Sequence, residues 1–123
     1  MNRTEDAAAV HHVMNEYVEG TRTRDIARLK AIFHENAVMT GYLGPDFLMG
    51  GPEPFYGALE ASEVGADYAA HISEVSVTGA TAQGRIVEDN LLGLSFVNDF
   101  HLAKADGAWK IVSKLFHHDA PEG

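Results

Sequence analysis

The dipeptide Asp106-Gly107, set between Ala105 and Ala108, constrains this chain more than any other feature. Asp-Gly suits a two-residue type I′ turn, whose twist matches the strands it joins. Such a turn predicts opposite pairs Lys104/Trp109, Leu102/Ile111, Phe100/Ser113 and Asn98/Leu115 on one face. The other face then carries Ala103/Lys110, His101/Val112, Asp99/Lys114 and Val97/Phe116. The first face is mostly apolar and reads as the core side. The second sets a carboxylate opposite an ammonium. A one-residue slip would exchange the faces.

The earlier chain reads as helical. Thr4 suits an N-cap, with Glu5 and Asp6 in the first turn. Val10, Val13, Met14, Tyr17 and Val18 form one helical stripe, and Gly20 ends it. Thr23 is expected to cap a second helix, with Ile26, Leu29 and Phe33 on one face and His34-Glu35-Asn36 at its close. From Ala37 the period becomes that of a strand, through Val38, Thr40 and Tyr42. Leu43-Gly44-Pro45-Asp46 turns the chain, and Phe47-Leu48-Met49 returns. Pro52 opens a third helix bearing Phe55 and Leu59. Strands follow at about 71–78, 82–91, 94–104 and 109–117. Helices first and strands later predict an α+β domain spanning 1–123, its helices on one face of an antiparallel sheet.

Composition excludes several classes. No cysteine is present among 123 residues, which removes disulfide scaffolds and thiol chemistry. The net charge of −9 falls wholly beyond residue 30, and no basic stripe exists to meet phosphates. Nucleic acid and anionic membrane surfaces are therefore not expected partners. The start lacks a signal-peptide pattern and no apolar run is long enough to span a membrane, so a cytoplasmic protein is expected. The seven histidines show no metal-ligand spacing, and no glycine-rich phosphate loop occurs, so neither metal nor cofactor is expected.

Tyr17-Val18-Glu19-Gly20, Asp25, Leu29, Ile32-Phe33-His34 and above all the run from Asp99 to Phe116 resemble the nuclear transport factor 2-like superfamily. Within it, the chain is similar to the putative lumazine-binding family, although many relatives carry aspartate where this chain has Asn36. The resemblance implies a cone: a curved antiparallel sheet wrapped around three helices, with a pocket between them. It also implies sheet-to-sheet homodimers, here through Val97, Asp99, His101, Val112, Lys114 and Phe116. Compared with ketosteroid isomerase, which shares the cone, Tyr17 is the position similar to the oxyanion tyrosine and Asn98 to the oxyanion aspartate. The base position falls near Thr40 or Gly41, neither of which can take a proton from carbon, so steroid isomerisation is not expected.

The expected pocket is lined by Val13, Tyr17, Phe33, Phe47, Phe55, Asn98, Phe100 and Trp109. Tyr17, Asn98 and an inward His71 are the candidate catalytic groups. Two neutral donors in an apolar cavity suit a carbonyl or carboxylate oxygen. The sequence thus points to a protein that binds a small aromatic, carbonyl or carboxylate compound in an apolar pocket, with cofactor-free acid/base catalysis open to it. The alternative is an interaction module whose pocket is vestigial.

Overall fold

A computed structural model describes residues 3–118. Helix α1 (Arg3–Thr23) and helix α2 (Ile26–Ile32) lead into β1 (Phe33–Leu43) and β2 (Asp46–Gly50). Helix α3 (Glu53–Glu60) follows, then β3 (Ala69–Thr78), β4 (Thr81–Leu91), β5 (Leu94–Ala105) and β6 (Ala108–His118). The strands form one curved, unclosed sheet in the order β2-β1-β6-β5-β4-β3. This is the expected α+β cone, with one difference: β1 runs parallel to β6, so the sheet is mixed.

Helix α1 runs three residues past Gly20, and the α2 cap is Asp25 rather than Thr23. The Asp25 carboxylate accepts from the Arg28 backbone N–H, satisfying a first-turn donor. Phe33 to Asn36, expected to end α2, instead begin β1. The α1 stripe of Val10, Val13, Met14 and Tyr17 is buried, and in one cluster with Ala82, Ile86, Phe100, Leu102 and Ile111 of the sheet. Gly84 permits this close approach: a Cβ there would stand 2.5 Å from Met14 Cε. Asp6 ties the helix start to the last hairpin. It accepts from Trp109 Nε1 at 3.0 Å and pairs with Lys104 at 3.3 Å.

The Asp106-Gly107 turn forms as its chemistry requires, with positive φ at both residues (51° and 80°). The expected pairs Lys104/Trp109, Ala103/Lys110 and Leu102/Ile111 are present. The next pair is His101/Ser113, followed by Phe100/Lys114, Asp99/Leu115, Asn98/Phe116 and Val97/His117. Val112 is therefore the extra residue of a β-bulge, and every later β6 side chain changes face. The expected Asp99/Lys114 pair does not form. Asp99 instead binds Arg85 of β4 through two hydrogen bonds, at 2.8 and 3.3 Å. Lys114 is buried on the core side and Phe116 is half-buried there. Of the six residues expected on the outer face, Lys114 and Phe116 are thus elsewhere. Leu115, 52% exposed, stands on that face beside Val97, Asp99 and His101.

Candidate functional site

An apolar cavity of about 340 Å³ opens at one end of the cone. Leu43 of β1, Leu48 and Met49 of β2, and Leu92 of the β4–β5 turn form its exposed rim. Pro54, Phe55 and Ala58 of α3 form one wall, and Leu94, Phe96 and Phe116 another. Met39, Leu91 and Lys114 lie deepest, because these lining residues are the buried ones. Lys114 is the only ionisable side chain among the described residues of the lining.

The surroundings of Lys114 are unusual for an ammonium. Its Nζ lies 4.1 Å from the ring centre of Phe55, 5.0 Å from Tyr17 and 6.0 Å from Phe116. Among the described residues, no carboxylate stands within ion-pair distance of it. Aromatic faces attract a cation, but they replace only part of its lost hydration. Burial accordingly pushes the Lys114 ammonium down to about 8, against an opposing pull from the charge of Glu88.

Glu88 is the second buried charge-bearing group, and it is fully partnered. It lies on the core face of β4, in register with Phe96 of β5. Tyr17 Oη donates to Oε1 at 3.0 Å, Tyr68 Oη to Oε2 at 2.6 Å, and Asn98 Nδ2 to Oε1 at 2.7 Å. Asn98 Nδ2 also donates to the Ile86 carbonyl at 3.2 Å. Burial first, then the charge of Glu88, holds both tyrosine hydroxyls well above their usual range, so both remain donors.

The expected donor pair, Tyr17 and Asn98, does converge on a carboxylate, but the carboxylate is the protein's own. Neither residue lines the cavity. Val13, Phe33, Phe100 and Trp109 are packed in the core, away from it. Phe47 is largely exposed and lies tilted beside Tyr42, with ring centres 5.5 Å apart. His71 is exposed on β3 and does not reach the cavity. Phe55 is the one residue of the expected pocket that lines it. Lys114 and Phe116, expected at a dimer surface, line it too.

Two of the residues around the cavity and the buried carboxylate, Glu88 and Tyr68, are not singled out by sequence, and a third, Lys114, is expected on the opposite face. Glu88 was detectable, because Ala82, Gly84, Ile86 and Glu88 share one strand face and only the last is charged. Tyr68 sits in the segment before β3 and carried no pattern. Lys114 was hidden by the bulge.

This α+β cone, open and apolar at one end, is that of nuclear transport factor 2-like proteins. The chain belongs to the family described as "Putative lumazine-binding", which it matches over residues 5–117. It is 31% identical over 102 residues, 82% of either chain, to the aldolase FrzH of Cladobotryum sp. It is similar to a structure of an NTF2-like protein of unknown function from Shewanella baltica, with a TM-score of 0.88, 23% identity and 98% of both chains covered. A second such protein, from Silicibacter pomeroyi, superposes with a TM-score of 0.86 at 27% identity, covering 96% of this chain and 99% of that one.

Two predictions come from the buried charges. In the unfolded chain Lys114 titrates near 10.5, and in the fold near 8. Well below pH 8 both states hold the proton, and the cost of burying the charge is fully present. Between the two values the folded chain gives up its proton first, so this cost fades as pH rises. The stability advantage of Lys114→Met over wild type should therefore shrink by about 2–3 kcal/mol between about pH 7 and pH 10. Urea unfolding followed by Trp109 fluorescence measures it, and a gap independent of pH would refute the argument.

The second concerns Glu88. Tyr17→Phe removes one of three donors and should cost about 1 kcal/mol. Glu88→Ala strands all three and should cost about 3 kcal/mol or more. Equal, small losses in denaturant midpoints would mean that Glu88 does not organise these groups.

Proposed function

We propose that this protein binds a small apolar carbonyl compound in the cavity, and that Lys114 acts on the bound carbonyl in a cofactor-free, aldol-type reaction. The observation that carries the reading is a lone amine at the deep end of an otherwise apolar chamber. A carbonyl oxygen reaching that end would meet one strong polar group and no competing one. In low dielectric such a contact fixes orientation and stabilises negative charge developing on oxygen. The likeness to an aldolase supports the same chemistry. An interaction module with a filled cone is disfavoured by the cavity itself.

Ligand-observed NMR with matched ketones, aldehydes and alcohols tests the reading. Carbonyl compounds should bind more tightly than their alcohols. Ala58→Trp, which fills the cavity from α3, should weaken them by about tenfold or more, which is about 1.4 kcal/mol. Absence of carbonyl binding in wild type, or equal binding by the filled variant, would sink it.

The outer face of β5 and β6 is part of the same proposal, as the contact of a homodimer. Val97 and Leu115 are exposed there beside the Arg85–Asp99 pair. Such an apolar patch rimmed by charge suits a two-fold sheet contact. Light scattering at high micromolar concentration should give twice the chain mass of 13.3 kDa. A monomer would remove the idea.

A further inference from the structure

The chain has four lysines, and three have ordinary surroundings. Lys30 is exposed beside the Tyr56 ring, Lys104 pairs with Asp6, and Lys110 donates to the Ala31 carbonyl. Lys114 alone combines burial, a wall of ring faces and access to a cavity. An amine held this way keeps its lone pair free, since among the described residues no hydrogen-bonding partner engages Nζ. Desolvation in an apolar pocket is one of the ways a lysine becomes a nucleophile toward carbonyl carbon.

We infer that Lys114 Nζ is a covalent nucleophile, forming an iminium with an aldehyde or ketone seated in the cavity. This rests on the carbonyl-binding reading and deepens it. The nitrogen lone pair forms a bond to the carbonyl carbon, and the π pair of the C=O bond moves to oxygen. That oxygen takes a proton as the nitrogen loses one, giving a carbinolamine. A second proton, from solvent at the open rim, lets the oxygen leave as water while the nitrogen–carbon double bond forms. In sum, amine, carbonyl and one proton give iminium and water, with no redox change. The iminium cation would take the place of the ammonium beside Phe55 and Tyr17, in the field of Glu88. It also makes an adjacent C–H bond acidic, which an aldol-type step requires.

The groups facing Lys114 set its pH response. Phe55 of α3 and Phe116 of β6 do not titrate. Tyr17 of α1 is held neutral by burial and by Glu88, and among the described residues Glu88 of β4 supplies the nearby negative charge. At about pH 7.5, Lys114 holds on the order of 100 times more free amine than an ordinary lysine.

The test is reductive trapping with benzaldehyde, which lacks an α-hydrogen and so stops at the iminium, and cyanoborohydride, followed by peptide mapping. Lys114 should be labelled at least about tenfold more than Lys30, Lys104 or Lys110 at neutral pH. Labelling should rise with pH around a midpoint near 8. Lys114→Met should abolish that label, and Ala58→Trp should suppress it with the amine intact. If benzaldehyde binds in the cavity by NMR but labels all four lysines alike, the iminium is overturned and the binding reading stands. If it neither binds nor labels selectively, both fall.

Discussion

Val112 has no partner on β5, and most of the cavity end of the molecule follows from that. One extra residue rotates the rest of β6 by half a pleat. Without it, Ser113 and Leu115 would face the helices, while Lys114 and Phe116 would face out. With it, an ammonium and a phenyl ring form part of the cavity and a leucine is left on the surface. Exposing about half of Leu115 forgoes apolar burial that turning Phe116 inward offsets, so the uncompensated cost of the bulge is the desolvation of Lys114. A buried ammonium with no ion-pair partner among the described residues is the consequence of the bulge that most needs a functional explanation.

The two buried groups are treated in opposite ways. Three donors from α1, β5 and the segment before β3 are spent on Glu88. None of the described acceptors is spent on Lys114. A carboxylate with every strong donor already aimed at it is a structural anchor: it joins α1 to the sheet at the point where the filled core gives way to the cavity. An ammonium given only ring faces is left chemically available. The distinction rests on hydrogen-bond geometry, while the depressed affinity of Lys114 for its proton comes from burial.

Much of this fold was legible because local chemistry and global structure agree. The Asp106-Gly107 turn, the α1 stripe through Tyr17 and the core-facing position of Asn98 each follow from spacing alone. The bulge did not, because its cause is distant in sequence. The β1–β6 ladder jumps from Phe33/Ile111 to Val38/Ser113 at the same place where β5–β6 slips. A strand some 70 residues earlier therefore shares the irregularity, and no local pattern around Val112 records it. The parallel pairing of β1 was missed for the same reason. Spacing points Tyr17 and Asn98 at a ligand oxygen, but Glu88, which shares a strand face with Ala82, Gly84 and Ile86, takes both donors. Their chemistry was right, and their acceptor was already in the chain.

The two ends of the cone explain why the cavity lies where it does. At one end, Trp109 fills the space between α1 and the β5–β6 hairpin, and Asp6 fastens it there. At the other, α3 has only eight residues, and the five residues of β2 are all exposed. Neither element is long enough to bring side chains across the gap, so aliphatic groups line it without filling it. An open cavity of this kind leaves its apolar walls to water in place of packed contacts. Keeping it is consistent with a ligand that restores those contacts when bound. Lys114 stands at the boundary between the packed and unpacked ends, touching Tyr17 on one side and the cavity on the other. A group placed one pleat deeper would be sealed in the core, and one placed nearer the rim would regain its water and its ordinary affinity for a proton. Only this position gives an amine both desolvation and access.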